Sequence, residues 1–271
     1  MVKSLKIYLP FASNELKRRL AYKGAFYLFI LISLLRSFIS YYLWRAVYGS
    51  SDKAVLGGLS QSEMVVYVFM VYVTSFVMVS ISDVVSDDVI KGTVAMNLIK
   101  PIDYRCSLIF RGVGNMIYNF LTPSVIIWIG VEIYKVMVLG LAPVTVGRIV
   151  LYLTSCMMSF LIYVLFDFCF GMIAFFTTYI FGLIMVQGAL LSFLTGQLIP
   201  ISFFPGAVQN IFEFMPFSSM IYTPVMIYLG KYSGQMLGFA LLRQAVWVVI
   251  LYVLGSLIWK KVTKRLVVLG G

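Results

Sequence analysis

Residues 149–199 carry a single charge, Asp167. At ~1.5 Å of rise per residue, one helix of that length would run far past the ~30 Å hydrocarbon core of a bilayer. The run therefore reads as two membrane crossings, about 148–174 and 180–199, separated near Thr177–Tyr179. Composition agrees: 62% of the 271 residues are hydrophobic and 11% charged. Soluble domains carry roughly 45–50% and about 25%. The fold class expected is an all-α polytopic membrane protein.

Further apolar runs place spans at about 25–48, 63–82, 106–131 and 236–259, which makes six in a single transmembrane domain over 1–271. The first closes with Tyr41, Tyr42, Trp44 and Tyr48, an interfacial aromatic belt. Pro123 falls inside the third. Residues 2–24 interleave Lys3, Lys6, Lys17, Arg18, Arg19 and Lys23 with Leu5, Ile7, Leu16 and Leu20. A helix after Pro10 would lie in the interface with its bases toward anionic membrane lipids. The basic part and the apolar run behind it are too long for a cleavable signal peptide. With the N-terminus inside, fourteen Lys and Arg fall on the inner side, including Lys260, Lys261, Lys264 and Arg265 of the tail, and six on the outer side. Both termini are then cytoplasmic, and Asp167 reaches toward the cytoplasmic interface. The same bias accounts for the net charge of +11 without a nucleic-acid partner.

What is missing narrows the chemistry. There is no histidine, which removes imidazole acid–base catalysis and His-ligated zinc. Cys106, Cys156 and Cys169 sit in or beside apolar spans with no CxxC, so neither a disulfide framework nor a metal site is expected. No P-loop pattern occurs, and GVGNMI at 112–117 lies in a span and reads as packing glycine rather than a nucleotide cradle. No span holds the paired acids of an ion-coupled carrier. The chain is expected to have no catalytic residue and to bind no cofactor or metal itself.

Three constellations remain. SDDVIKGTVAMNLIKPIDYR, Ser86 to Arg105, links the second and third spans. Ser86 reads as an N-cap with Asp87 and Asp88 in the first turn. Ile90, Val94 and Leu98 form an i, i+4, i+8 stripe, Gly92 admits another backbone, and Pro101 stops the helix by Lys100. The outcome expected is a helix over 86–100, parallel to the membrane on the cytosolic side and able to dock a protein. Its bland alternative is a solvated loop. The second constellation is LIPISFFPGAVQNIFEFMPFSSMIYTPVMIYLG, residues 198–230. Pro200, Pro205, Pro216 and Pro224 cut it into pieces too short to span. Its aromatic residues, among them Phe203, Phe204, Phe212, Phe214, Phe217, Tyr222 and Tyr228, need packing partners, which predicts a re-entrant or interfacial hairpin at the outer side. It serves either as a lid over a path or as an aromatic anchor. The third is Arg36, near the middle of the first span. A guanidinium there costs at least roughly 2.5–3.5 kcal/mol unless it faces water or protein, so it should face an inner cavity or a subunit interface. Asp167 lies at another depth and is not its expected partner.

IKGTVAMNLIKPIDYR, with Ile90, Gly92, Leu98, Pro101 and Tyr104, resembles the first cytoplasmic loop of type-2 ABC exporter permeases. The closer likeness is to a bacterial subgroup of six-span, stand-alone permease subunits. IPISFFP and MPFSSMIYTPVMIYLG resemble the outer segment of that subgroup. The likeness covers nearly the whole chain. It implies a permease in the bacterial cytoplasmic membrane that pairs with a second permease, like or unlike itself, and two copies of a cytoplasmic ABC ATPase subunit that holds ATP and Mg. The loop helix would be the coupling helix, with Asp87, Asp88, Ile90, Lys91 and Gly92 against the ATPase and Pro101, Tyr104 and Arg105 as the return to the membrane. Ala12 to Lys23 would be a connecting helix along the inner leaflet, and 200–230 outer re-entrant helices. The implied function is ATP-powered export of an amphiphilic or hydrophobic substrate, such as a drug, antibiotic, peptide or lipid-like compound. The alternatives are an ion-coupled secondary carrier or channel, an intramembrane hydrolase, and a structural or immunity-type membrane protein. Arg36 belongs to no motif of the likeness.

Overall fold

The structure, a computed structural model, describes residues 2–21, 23–177 and 180–269. Thr178 and Tyr179 of the expected break lie outside the described residues, as do the side chains of Lys3, Leu5, Lys23 and Arg265.

Twelve α-helices are described: α1 (Val2–Ala21), α2 (Lys23–Gly49), α3 (Gln61–Ser75), α4 (Ser82–Ile90), α5 (Thr93–Leu98), α6 (Tyr104–Asn119), α7 (Val125–Met137), α8 (Val146–Gly171), α9 (Phe181–Leu194), α10 (Gly206–Phe214), α11 (Tyr222–Tyr228) and α12 (Gly234–Leu269). A two-stranded hairpin, β1 (Val55–Leu56) and β2 (Leu59–Ser60), turns through Gly57 and Gly58 at φ 54° and 75°. Such a tight primed turn needs positive φ at both central residues, which glycine adopts freely.

Among the described residues, four stretches are long and apolar enough to cross a membrane: Ile30–Gly49, Tyr104–Met137, Val146–Phe175 and Gly234–Lys264. The helices α3 and α9, 15 and 14 residues long, are shorter than the spans read from sequence. The second run leaves helical geometry at Phe76–Ile81, so fewer of its residues are helical than hydropathy implied. Conversely, α12 runs beyond residue 259 into the basic tail, because Lys260, Lys261, Lys264 and Arg265 are good helix formers and no Gly or Pro interrupts them.

The third span is continuous through Pro123. A π-helical turn, Phe120–Ser124, absorbs the proline between α6 and α7. Pro123 leaves the Asn119 carbonyl without its usual donor. The Ser124 hydroxyl lies 3.1 Å from that oxygen and 3.2 Å from the Val73 carbonyl of α3. A membrane helix tolerates proline when a neighbouring hydroxyl takes the freed group.

The centre is built on α3, α8 and α11. Met64 to Val68 of α3 are five buried residues in a row, so protein surrounds that turn on every side. Ser218 to Tyr228 are buried throughout, which seats α11 between α3 and α8. Polar groups hold this inner layer in register. Gln244 of α12, fully buried, accepts from Ser155 Oγ at 2.9 Å and donates to the Ser219 carbonyl at 2.8 Å. Ser159 Oγ also reaches the Ser219 carbonyl, at 2.9 Å. Trp128, Tyr152 and Tyr228 pack edge to face with centroids 5.2–6.0 Å apart. Tyr228 donates its hydroxyl to Glu132, which also pairs with the buried Lys135 at 2.8 Å.

The lead-in helix starts at Val2, with Pro10 inside it, rather than after Pro10. It packs along α6: Tyr8 stacks on Phe110 at 5.6 Å and accepts from the Asp103 N–H at 2.8 Å. A Cβ on Gly114 would lie 2.2 Å from the Ala12 carbonyl oxygen, so the two backbones touch there. Gly112 and Gly114 are packing glycines, as GVGNMI suggested.

Candidate functional site

The loop between α3 and α6 is an elbow of two helices. The helix expected over 86–100 begins four residues earlier, at Ser82, and breaks at Gly92. Ser86 is therefore not a cap but a buried residue inside α4. The cap comes from another helix. Asp167 Oδ2 on α8 accepts the N–H groups of Ile81 and Ser82 at 2.6 and 2.7 Å and the Ser80 hydroxyl at 3.0 Å. Its other oxygen accepts from Gln187 Nε2 of α9 at 2.9 Å. A carboxylate at a helix N-terminus satisfies orphan donors and complements the helix dipole. One turn along α8, Gly171 lets α4 press close: a Cβ there would meet Ser82 Cα at 2.9 Å. Asp167 and Gly171 lie at i, i+4, on one face of α8.

Gly92 takes φ 71°, the left-handed conformation that side chains rarely adopt, and reverses the chain between α4 and α5. A Cβ at Gly92 would meet nothing within 4 Å, so the glycine serves the bend and not a close approach. Asp88 braces the bend, accepting from Thr93 Oγ1 at 2.6 Å, Asn97 Nδ2 at 3.2 Å and the Tyr104 hydroxyl at 2.7 Å. The break also dissolves the expected stripe: Val94 is buried, while Ile90 and Leu98 are exposed.

The return to the membrane is anchored as well. Asp103 caps α6, accepting the N–H groups of Arg105 and Cys106 at 2.8 and 3.2 Å. Burial alone would raise its carboxyl, but the Arg105 guanidinium and these N–H groups outweigh that and hold it below the usual range. Arg105 also reaches Ser256 Oγ of α12 at 2.5 Å, and Tyr104 stacks on Trp259 at 5.2 Å. Pro101 is exposed between α5 and α6.

The elbow is thus fixed at both ends and open in the middle. Asp87 and Lys91, paired at 2.7 Å, are exposed, and Ile90, Met96 and Ile99 are 55%, 64% and 83% exposed. The family resemblance implied Asp87, Asp88, Ile90, Lys91 and Gly92 together. The structure places Asp87, Ile90 and Lys91 on the open surface and Asp88 and Gly92 in the bend. It adds Asp167, Gly171 and Gln187, which the loop sequence does not announce. The one signal was Asp167 itself, the sole charge in 149–199. Asp167 is 1% exposed, because α4 folds over it at the entry to the elbow.

The proline-rich segment 198–230 divides in two. Pro200 precedes a 3-10 turn, Ile201–Phe203, and Pro205 precedes α10. Phe203 packs on Trp44 at 4.9 Å, and Phe204 on Phe212 and Phe193 at 5.2 and 5.4 Å. After the Pro216 turn the chain dives inward. Phe217 meets Phe166 of α8 at 5.4 Å, the Tyr222 N–H donates to the Thr195 carbonyl at 3.1 Å, and Pro224 is buried in α11. Arg36 faces outward from α2, exposed among Ile32, Leu35 and Ile39, and among the described residues no carboxylate pairs with it. It does not face an inner cavity.

Long apolar helices packed around a buried core, with an anchored elbow between α3 and α6, define a multi-pass membrane protein. Residues 31–270 match the model of the ABC-2 family transporter protein, and the chain belongs to that family. It is therefore the membrane subunit of an ABC transporter, a transport component that works with an ATP-binding subunit. No curated protein matches the chain.

Proposed function

We propose that this chain is the permease of an ATP-driven exporter in a bacterial cytoplasmic membrane and that the α4–α5 elbow receives motion from a cytoplasmic ATPase. The observation that carries this is the elbow itself. Large apolar side chains stand exposed at Ile90, Met96 and Ile99, outside the apolar spans, on a support held by Asp167 and Gly171. Exposed apolar residues ringed by charge mark a protein interface. Closure of two ATPase subunits on ATP and Mg would push the elbow and, through Asp167, move α8 and α9.

In this reading α3 and α9 complete six crossings with their non-helical flanks, and the Lys and Arg bias places both termini in the cytoplasm. A second permease subunit covers the outward face of α2, where Arg36 finds protein instead of lipid. Pro200, Phe203, Phe204, Pro205, Pro216, Phe217, Tyr222 and Pro224 form the outer lid. An apolar cavity of about 460 Å³ between α2, α3 and α7, lined by Leu34, Phe38, Phe69 and Ile127, favours an amphiphilic or hydrophobic cargo.

The test is co-purification with a co-expressed ATP-binding subunit of the same transporter. The native chain should hold the ATPase. The double variant Ile90→Asp, Ile99→Asp should lose it while melting within about 1 °C of native, since exposed substitutions change stability little. Retention of the ATPase by that variant would remove the elbow from the interface.

A further inference from the structure

A second cavity lies between α1, the inner half of α6 and the segment entering α4. It measures about 480 Å³, and its lining includes Phe11, Arg18, Arg19, Ile81, Arg111 and Asn115. Among the described residues Glu15 is its one lining carboxylate, so the three arginines leave it with a charge of +2. Glu15 is already engaged by Arg18 at 2.6 Å and Arg19 at 3.2 Å. Arg111 lies over the Phe11 ring at 5.6 Å, and among the described residues no carboxylate pairs with it. Asn115 is 9% exposed, and its Oδ1 has no hydrogen-bond partner among the described residues. Buried amide oxygens are normally hydrogen-bonded, so a ligand that donates a hydrogen bond there satisfies a group the fold leaves open.

We propose that this cavity binds the headgroup of an anionic glycerophospholipid from the leaflet on the α1 side. The shared chemistry is a phosphate between the arginines, with a headgroup hydroxyl donating to Asn115. A lipid is favoured over a free phosphate by position and by lining. Arg111 sits ~12 Å along α6 from its cap at Asp103, in the first turns of the apolar Tyr104–Met137 stretch rather than beyond its end. Phe11 and Ile81 give the cavity apolar walls, and Ile7, Leu9 and Leu20 of α1 are exposed for acyl chains. The bound headgroup would touch Ser80 and Ile81, the residues whose polar groups Asp167 holds. This inference stands apart from the ATPase reading, because it concerns the chain alone.

The experiment is native mass spectrometry of the full chain from micelles doped with phosphatidylglycerol, phosphatidylcholine or neither, with inorganic phosphate as competitor. Phosphatidylglycerol adducts should exceed phosphatidylcholine adducts and survive millimolar phosphate. Arg111→Gln should lower the phosphatidylglycerol adduct about fivefold, the share one basic residue near an anionic surface carries. Asn115→Leu should lower it too, while Lys260→Gln on the tail should not. Melting curves identify folded variants, and either folded variant suffices. Equal adducts of the two lipids, or no loss in a folded variant, overturns the site. Displacement of the lipid by inorganic phosphate overturns the lipid assignment in favour of a free anion.

Discussion

Asp167 shows how one side chain joins three elements. Its two oxygens take four donors from the α4 entry and α9. Asp167→Ala leaves those donors unpaired in the interior, and hydrogen bonds to a charged group are worth about 1.5–3 kcal/mol each. We expect a loss of about 3 kcal/mol, read as a lower melting temperature in micelles, with Asp167→Asn losing about half as much. Two glycines give a contrasting pair. Gly92→Ala meets no atom, so its cost is purely backbone, about 1–2 kcal/mol at φ 71°. Gly171→Ala has ordinary helical φ but puts a Cβ against Ser82, and overpacking costs about 1–3 kcal/mol. Proteolysis between α4 and α5 separates the two outcomes: Gly171→Ala loosens the entry to α4, whereas Gly92→Ala exposes the bend.

At the scale of elements, caps and polar knots decide how helices sit on one another. The α12 contact with α8 and the entry to α11 runs through Gln244. Gln244→Leu should cost about 1–2 kcal/mol, the value of an interhelical polar contact in a membrane, and no more, since Ser159 keeps its bond to the Ser155 carbonyl. The α1 and α6 ends depend on pH. Burial raises both Glu15 and Asp103, but ion pairs and hydrogen bonds with Arg18 and Arg19, and with Arg105 and the Cys106 N–H, outweigh it. Both carboxyls therefore titrate lower in the folded chain than in the unfolded one. Their contribution is full above the unfolded values, about 4, and is lost as pH falls through the folded ones. Melting curves should be insensitive to these two groups from pH 7 to 5 and should fall below about pH 4. Asp103→Asn together with Glu15→Gln should flatten that fall.

For the whole molecule, the proposed exporter makes Asp167 a positioning residue between ATPase and membrane. Asp167→Asn, which keeps an acceptor at the α4 entry, should still bind the ATP-binding subunit through the exposed elbow. ATP hydrolysis by the complex in proteoliposomes should persist while cargo movement per ATP drops at least about tenfold, a coupling change of about 1.4 kcal/mol. Equal loss of both activities would assign Asp167 to folding alone.

Hydropathy and charge by themselves determined the class, the long crossings and the elbow's location, because each is a sum over neighbouring residues. Local chemistry was legible on the same grounds, as in the packing glycines of GVGNMI and the stop before α6. The elbow's internal shape was not. Ile90, Val94 and Leu98 fit one continuous helix by spacing, and only the left-handed turn at Gly92, with Asp88 bracing it, set the pieces at an angle. The roles of Asp167, Gly171 and Gln244 were likewise decided by tertiary structure. Each acts on partners 20 to 89 residues away in sequence, and no local window records which helices meet. The interior of a membrane protein leaves a buried polar group few partners, so packing alone chooses which polar group meets which.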